Sequence, residues 1–516
     1  MAEPQALAPL EGSQRMLATL ALSLATFMNV LDTSIANVSL PAIAGDMGVA
    51  PNQGTWVITS FAVANAISVP LTGWLTQRFG QVRLFVASVI LFTIASFLCG
   101  MATTLPMLIA FRILQGAVAG PMIPLSQSLL LSSYPKSMAG LAFAAWSVTT
   151  LVAPVMGPLL GGWISDNFSW PWIFYVNIPA GVLAAWAVWR IFKKRETPTR
   201  KLPIDMVGLG LLIVWVSCLQ LTLDKGKELD WFNSGEIVLL ATTALVGFCF
   251  FVVWELGEEH PVVDLSLFKL RNFTVATLAI SLGYGVFFGS VVLLPLWLQQ
   301  FMGYTSTWAG LATAPVGLFA IILSPIVGKN MNKVDARKIA SVAFIIFALV
   351  SYLRSEFTTQ ADYWTLIIPQ LIQGGAMACF FIPLVSITLS QVKPQNIPSA
   401  SGVSSFVRIT CGALGASIFT TMWESRANLH HAQLTESISN LRPESVMALN
   451  QLQANGMSEA QSLGFMDRLV TVQAYTLSAD ELFLASAVIF LVLTGIIWFA
   501  KPVKPSGAPA PAGADH

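Results

Sequence analysis

Long apolar runs separated by short polar segments recur along the whole chain. We count fourteen, to within one or two because several contain Gly and Pro, and each approaches the roughly 20 residues that a helix needs to cross a bilayer. The runs lie near residues 16–40, 54–77, 84–103, 105–132, 138–164, 170–191, 205–223, 235–255, 273–301, 305–328, 337–353, 363–390, 398–423 and 480–500. Because a backbone in hydrocarbon must satisfy its own hydrogen bonds, the pattern predicts an all-α integral membrane protein with fourteen spans.

Composition agrees with this interpretation. Of the 516 residues, 55% are hydrophobic and 10% are charged, whereas a soluble domain carries roughly 25% charged residues. The first run is too long for a signal-peptide core and lacks an obvious cleavage site, so we interpret it as a retained span. All five cysteines lie in apolar runs and none forms a CxxC pair. They are predicted to be packing residues, with no disulfide or metal site.

The distribution of basic residues predicts the topology. With the N-terminus in the cytoplasm, nineteen of the 27 Lys and Arg residues fall in cytoplasmic segments and six, Arg354 among them, fall on the opposite side. Arg112 and Arg408 fall within spans. Because basic residues are retained on the cytoplasmic side, this asymmetry favours two cytoplasmic termini and an even number of spans.

Self-comparison reveals two related halves. Aligning "PLTGWLTQRFGQVR" with "PIVGKNMNKVDARK" places Gly73 on Gly328, an offset of 255, and aligning "RILQGAVAGPMIPL" with "QLIQGGAMACFFIPL" places Gln115 on Gln373, an offset of 258. Two parallel six-span repeats are typical of the major facilitator fold. The predicted parts are a cytoplasmic N-terminus (1–15), a first six-helix bundle (16–200), two inserted helices (201–260), a second six-helix bundle (261–500) with a periplasmic loop (425–479), and a disordered cytoplasmic tail (501–516). The loop is either mobile or a docking surface for a partner.

One acid interrupts the first apolar run. Asp32 stands in "VLDTSIANVSLP", and helical spacing places Asn29, Thr33 and Asn37 on the same side. A carboxylate is costly in hydrocarbon, so this polar face indicates a water-accessible cavity in which Asp32 takes up and releases a proton. The alternative is a packing hydrogen bond made by an Asp that keeps one protonation state.

A second intramembrane charge, Arg112, lies in "RILQGAVAG", with Gln115 and Gly116 on its face. Its counterpart in the second half is Gln370, so the duplication retains the charge in one half only. This asymmetry predicts a proton-coupling site in the first half. The alternative is a structural Arg that binds backbone carbonyls.

Small residues and prolines mark the fifth run, in "APVMGPLLGG". Gly157 and Gly161 would allow a neighbouring helix to approach closely, while Pro154 and Pro158 would permit a bend; Gly162 completes the motif. A pliable, closely packed helix suits a protein whose halves rock against each other.

The loop between the second and third runs is predicted to act as a gate. It contains Gly73, Arg78, Gly80 and Arg83, and the repeat places basic residues in the equivalent second loop. Such side chains can hold one conformation by binding acids or helix C-termini. The alternative is that they are topology signals.

The role of Arg408, in "SSFVRITCG", stays open at this point. It could pair with Asp32, extend to the cytoplasmic interface or attract an anionic solute. Trp146 and Phe406 are candidate side chains of a pocket for bulky apolar compounds, although lipid-facing positions account for most membrane aromatics.

At these residues the sequence resembles a known family. "LDTSIANVSLP", "GWLTQRFGQVR", "RILQGAVAGP", "GPLLGG" and "WPWIFYVNIPAG" follow, in order and spacing, the motifs of the fourteen-span drug:proton antiporters of the major facilitator superfamily. The resemblance identifies Asp32 with the family's first-span acid, Arg112 with its fourth-span Arg, and Gly157, Pro158, Gly161 and Gly162 with its antiporter motif. Gln77 and Gln81 depart from the family's charged loop, which puts a charge relay there in doubt.

The resemblance implies a function and partners. The implied function is proton-driven export of hydrophobic, often weakly acidic compounds across the bacterial inner membrane. The implied partners are a periplasmic adaptor of the EmrA type and an outer-membrane channel of the TolC type. An importer or exporter of one specific metabolite, with the same fold, is the nearest alternative. No GxxxxGK[ST] loop occurs in the sequence, so direct ATP drive is not predicted. No nucleophile–base or metal constellation occurs either, so the sequence predicts no enzyme and no cofactor.

Overall fold

The computed structural model describes residues 9–49, 51–135, 138–200, 203–331, 333–436, 438 and 442–502, and within these ranges it contains helices and no strand. Twelve of its helices are long and apolar enough to cross a membrane, and the bent pair Trp56–Ser68 and Thr72–Phe79 makes a thirteenth. A helix of 29 residues, Ala139–Asn167, occupies the position of the fifth predicted span. The all-α membrane fold predicted from the sequence is confirmed.

Fourteen helices are labelled in chain order. They are α1 (Gly12–Asp46), α2 (Trp56–Ser68 and Thr72–Phe79), α3 (Gln81–Gly100), α4 (Leu105–Ser133), α5 (Ala139–Asn167), α6 (Trp172–Phe192), α7 (Met206–Lys225), α8 (Gly235–Gly257), α9 (Arg271–Gln300), α10 (Trp308–Asn330), α11 (Ala336–Arg354), α12 (Tyr363–Leu389), α13 (Ile397–Glu436) and α14 (Glu459–Ile496). We call the side of the bundle where α1 begins and α2 ends the basic side, because Arg15, Arg78 and Arg83 lie there.

Local sequence explains several helix boundaries. Asp205 caps α7 by accepting from the backbone N–H of Val207 and Gly208 at 3.1 and 2.9 Å, and Asp362 caps α12 through the N–H of Thr365 at 3.0 Å. Such acids satisfy donors that a helix start leaves unpaired. The two pieces of α2 meet at an angle of 62° next to Pro70, which cannot donate a backbone hydrogen bond.

The internal repeat is visible in the packing. A Cβ on Gly116 of α4 would collide with the carbonyl oxygen of Phe61 in α2, and a Cβ on Gly374 of α12 would collide with that of Val316 in α10. Phe61 and Val316 differ by the first sequence offset, and the two glycines differ by the second. Both halves therefore bring the same pair of helices into backbone contact through a residue without a side chain.

The two halves meet closely at the basic side. Gly73 of α2 lies against Ser399 of α13, and Gly140 of α5 lies against Gly328 of α10, so closely that a Cβ on either glycine would overlap its neighbour. Gly402 of α13 approaches the carbonyl oxygen of Val69 in the same manner. The basic side of the interface is therefore closed in this structure.

The inserted helix α7 contacts both halves. The Thr59 hydroxyl of α2 donates to Asp224, and the Ser417 hydroxyl of α13 donates to the carbonyl oxygen of Leu223 at 3.1 Å. Beyond the end of α7, Lys227 pairs with Glu424 at 3.0 Å. The insertion thus joins α2 to α13 at the end of the bundle opposite the basic side.

Helices continue into the segment that the sequence assigns to the periplasmic loop 425–479. Helix α13 has 40 residues and ends at Glu436, a short helix covers Pro443–Ala454, and α14 begins at Glu459. A helix of that length spans about 60 Å, roughly twice the hydrocarbon thickness. Arg426 of α13 binds Glu481 of α14 through two hydrogen bonds of 2.7 and 2.9 Å, which joins these helix extensions.

Candidate functional site

The two intramembrane charges of the first half lie in direct contact. Nη1 of Arg112 in α4 is 2.6 Å from Oδ2 of Asp32 in α1, and both side chains are 0% exposed. A buried ion pair is stable only when its remaining donors and acceptors also find partners. The surroundings of this pair meet that condition almost completely.

Neutral side chains bind the other oxygen of Asp32. Its Oδ1 accepts from Nε2 of Gln115 at 3.0 Å and from Nδ2 of Asn177 at 2.8 Å. Both amides also donate to Oγ of Ser96, at 2.7 and 3.2 Å. Helices α1, α3, α4 and α6 therefore each contribute one side chain or more to a single buried network.

Arg112 is held from several directions. Its Nε donates to the carbonyl oxygen of Val57 at 3.0 Å, and its Nη1 also donates to Oε1 of Gln115 at 2.7 Å. The guanidinium carbon lies 4.2 Å from the ring centre of Phe61 and 5.6 Å from that of Phe174. Its Nη2 is buried and has no hydrogen-bond partner among the described residues. The sequence interpretation left open whether Arg112 binds a carboxylate or backbone carbonyls, and it does both.

Ser96 and Asn177 were not identified as site residues from the sequence. Each is a polar residue in an otherwise apolar run, and Asn177 lies in the "FYVNIPAG" stretch, so an available signal was overlooked. The predicted polar face of α1 is only partly in the network. Asn29 instead donates to the carbonyl oxygen of Ala119 at 3.2 Å, Thr33 donates to that of Asn29, and Asn37 is exposed.

The second half holds a different arrangement at the equivalent place. Arg354 of α11 is 2% exposed and donates through Nη2 to Gln370 at 2.7 Å and to Gln373. It occupies the position of Ser96 at the offset of 258, while Gln370 replaces Arg112, and α9 contains no acid. The sequence assigns Arg354 to the side opposite the basic one; it is the last residue of α11, at that end of the helix, and its side chain is buried in the bundle.

The glycines of α5 pack against α1 next to Asp32. A Cβ on Gly157 would overlap the side chain of Ser34, and one on Gly161 would lie 2.9 Å from Cγ1 of Ile35. Gly162 has no atom within 4 Å of the equivalent position. Pro154 and Pro158 belong to the same helix, but their side chains lie outside the described residues.

An acid from the linker after α6 binds the backbone of the predicted gating loop. Glu196 accepts from the backbone N–H of Val82 at 3.0 Å and of Arg83 at 2.9 Å, at the start of α3. Gly80 precedes this start with a φ of 88°, and a Cβ there would lie 2.5 Å from the Glu196 carboxylate. The Arg78 guanidinium carbon lies 5.3 Å from the Trp74 ring centre. Glu196 thus supplies a carboxylate to a loop that has Gln77 and Gln81 where the family usually has charges.

The equivalent second loop contains its own acid. Asp335 accepts from the backbone N–H of Arg337 at 2.9 Å at the start of α11, and it binds the Arg337 guanidinium at 2.6 Å. Hydrogen bonding to Arg337 holds the pKa of Asp335 below its usual value, because these bonds stabilise the ionised carboxylate. An acid therefore binds the first backbone N–H groups of the equivalent helix in each half: Glu196 from the linker at α3, and Asp335 from the loop itself at α11.

Replacing Glu196 with Ala is expected to destabilise the protein by about 1 kcal/mol, since the start of α3 loses its cap. Arg83→Gln is the matched control, because Arg83 is 68% exposed and its Nε is 4.0 Å from Glu196, a geometry that contributes little. Thermal unfolding of the purified variants checks this. Equal losses of stability in both variants would show that the ion pair, and not the backbone cap, accounts for the role of Glu196.

The remaining cavity candidates lie apart from the Asp32 network. The Arg408 guanidinium carbon of α13 lies among three aromatic rings, 5.7 Å from the centre of Trp146, 5.8 Å from Tyr284 and 5.6 Å from Phe381. Phe406 instead packs edge-on against Trp215 of α7, with ring centres 5.7 Å apart. Trp146 is thus next to Arg408, whereas Phe406 lies at the contact with the inserted helix. Among the residues that the structure describes, no group of three or more His, Cys, Asp or Glu side chains could hold a metal ion.

Comparison with known families decides the classification. The family model described as Major Facilitator Superfamily matches residues 22–419. The chain belongs to this superfamily. The resemblance to the major facilitator superfamily is thereby confirmed, and the major facilitator fold places the Asp32 network inside one half of a two-bundle transporter.

Relatives within the major facilitator superfamily cover nearly the whole chain. The multidrug export protein EmrB of Escherichia coli (strain K12) is 52% identical over 509 residues, which are 98% of this chain and 99% of that protein. The fatty acid resistance protein FarB of Neisseria gonorrhoeae is 51% identical over 97% of this chain and 98% of its own length. Among solved structures, the human organic anion transporter MFSD10 (TETRAN) aligns with a TM-score of 0.57 at 14% identity, covering 92% of this chain and 99% of that one. This last similarity concerns the fold alone.

Proposed function

We propose that this protein is a proton-driven multidrug exporter that moves hydrophobic, often weakly acidic compounds across the bacterial inner membrane, with both termini in the cytoplasm. The buried pair of Asp32 and Arg112, with N–O distance 2.6 Å, is the observation that carries the proposal. Similarity to EmrB, a multidrug export protein, supports the multidrug and export parts, and similarity to FarB, a fatty acid resistance protein, supports acidic hydrophobic compounds as substrates; both are about half identical to this chain over nearly full length.

Protonation of Asp32 would change the energy of the whole network. The ionised carboxylate balances Arg112, while a protonated one leaves a buried cation without a counter-charge. Removing one partner of a buried pair costs about 3–5 kcal/mol, which favours any conformation that hydrates Arg112 again. A proton on Asp32 would thereby bias the bundle toward a second arrangement, and its release would restore the first.

Proton binding would be coupled to movement through the helices that hold the network. The side chains come from α1, α3, α4 and α6, all in the first half, so the site itself can move as one unit. The closed glycine contacts between the halves at the basic side would have to open in the alternative state. We place this side in the cytoplasm on the basis of its basic residues.

The proposed assembly contains a periplasmic adaptor of the EmrA type and an outer-membrane channel of the TolC type. The helix extensions around residues 425–479 lie on the side opposite to the basic one and would be available to an adaptor. Drug susceptibility of an efflux-deficient bacterium, with and without the adaptor gene, tests this part. Resistance of equal strength without the adaptor would contradict it.

Transport in inside-out membrane vesicles tests the proton drive. With an acidic vesicle interior, we expect wild-type vesicles to accumulate several chemically unrelated lipophilic compounds, and nigericin to abolish accumulation by dissipating the pH gradient. Vesicles without the protein are the control. Accumulation that persists after nigericin, or that is confined to one metabolite, would favour the alternative of a specific metabolite transporter.

A further inference from the structure

A third intramembrane cation, Arg408, has no place in the proton site. Its side chain belongs to α13 and is 7% exposed. The described residues provide it with neither an ion pair nor a hydrogen bond, whereas Arg112 and Arg354 each bind oxygen atoms of neighbouring side chains. A guanidinium carries five N–H donors, and none of those of Arg408 is among the fully buried atoms that lack a partner, in contrast to Nη2 of Arg112 and Nε of Arg354.

The surroundings of Arg408 are aromatic and come from both halves. Trp146 belongs to α5 of the first half, while Tyr284 of α9 and Phe381 of α12 belong to the second. The rings also contact one another, with centres 6.1 Å apart for Tyr284 and Phe381 and 6.5 Å for Trp146 and Phe381. Ring faces stabilise a cation partially, but they offer no oxygen to its N–H groups. Arg408 is therefore a charged centre in an apolar cage where the two halves meet.

Two of the three roles that the sequence left open do not fit this geometry. Asp32 is already paired with Arg112 at 2.6 Å, so it is not the counter-charge of Arg408. Extension to the basic side does not fit either, because the guanidinium lies next to three rings of the bundle interior. It also lies eleven residues into α13, about 16 Å along a helix.

We infer that Arg408 binds the anionic group of an amphiphilic substrate, such as a carboxylate on an aromatic or aliphatic body. This rests on the proposed function and names the substrate class of its transport pathway. A planar oxyanion accepts two parallel hydrogen bonds from a guanidinium, and the three rings contact the apolar body. Because Trp146 and Arg408 belong to different halves, an anion bound there would contact both halves, and its affinity would depend on the relative position of the halves.

Binding to the purified full-length protein in lipid nanodiscs tests this inference. The ligand pair is 9-anthracenecarboxylate and 9-anthracenecarboxamide, which share one ring system and differ in charge, and fluorescence at constant pH reports binding. Wild-type protein is expected to bind the carboxylate about tenfold or more tightly than the amide, as a charge-assisted hydrogen bond predicts. Arg408→Gln is expected to lose this preference while binding the amide within about twofold of wild type, and Arg408→Lys is expected to retain part of it.

The possible outcomes separate the inference from its alternatives. Equal binding of the two ligands by wild-type protein overturns it, even if Arg408→Gln does not fold. Equal loss of both ligands in a folded Arg408→Gln protein also overturns it, because Arg408 would then only hold the rings in place. Since the binding assay contains no proton gradient, an intact carboxylate preference combined with vesicle transport that persists after nigericin would refute the proton drive and leave the anion site standing.

Discussion

Replacing Asp32 with Asn is expected to reduce transport driven by a pH gradient about 100-fold or more, without unfolding the protein. Asn keeps the size of the side chain and can still accept hydrogen bonds from Gln115 and Asn177, which bind Oδ1 at 3.0 and 2.8 Å. It cannot ionise, so the charge that balances Arg112 is absent throughout the cycle. The measurement is the initial rate of accumulation in inside-out vesicles, with protein amount and thermal unfolding checked in parallel. The expected loss of transport rate assumes that the full cost of an unbalanced buried charge, about 3–5 kcal/mol, opposes the transport cycle.

A matched control lies on the same helix. Asp46 is an exposed acid near the end of α1, where its Oδ2 accepts from Nε1 of Trp170 at 2.7 Å. Asp46→Asn removes a charge from α1 without touching the buried network, and its transport rate should stay within about twofold of wild type. Wild-type rates in the Asp32→Asn vesicles would refute proton coupling at Asp32. Equal loss in both variants would trace the effect to the charge of α1 as a whole.

Replacing Gly157 with Ala is expected to destabilise the protein by about 1–3 kcal/mol and to slow transport by a factor of about ten. The new Cβ would overlap Ser34 of α1, so α1 and α5 must separate or bend to admit it. Overpacking of a well-packed contact costs this amount. Thermal unfolding and vesicle transport measure the two effects.

Gly162→Ala is the appropriate comparison, since it adds the same methyl group to the same helix where no atom lies within 4 Å. It should leave transport unchanged and should not lower the stability, because the added methyl group meets no atom and Ala has a better helix propensity than Gly. If Gly162→Ala were as harmful as Gly157→Ala, flexibility of α5 and not its contact with α1 would be the property that transport needs.

The two predictions concern one place in the fold, where Gly157 of α5 packs on α1 next to Asp32. Asp32 belongs to the proton site, and Ser34 and Ile35, two and three residues later, form the surface against which Gly157 and Gly161 pack. A change in the charge of Asp32 therefore occurs within one turn of a close contact between α1 and α5. Under the proposed function, this proximity provides a short physical route from protonation to movement of α5, whose start forms part of the closed contact between the halves.

The sequence by itself determined the membrane fold, the two related halves and the two intramembrane charges of the first half, Asp32 and Arg112. Apolar runs of sufficient length have few alternatives to helices in a bilayer, and an ionisable residue among them is too costly to be incidental. The repeat is recognisable in the sequence because equivalent helix contacts need the same residue type: Gly116 and Gly374 both lie where two backbones touch and a Cβ would collide.

Only the tertiary structure decided which charges meet. Periodicity orients a side chain around its own helix but says nothing about the neighbour it faces, so Ser96, Asn177 and Glu196 entered the description only once α3, α6 and the linker were in place. The same limit explains why the sequence does not predict the burial of Arg354, which is the last residue of a helix and yet has its side chain inside the bundle. The sequence leaves three roles open for Arg408, and the packing of α5, α9 and α12 places its guanidinium next to three rings. Contacts between helices depend on how their faces pack together and not on distance along the chain.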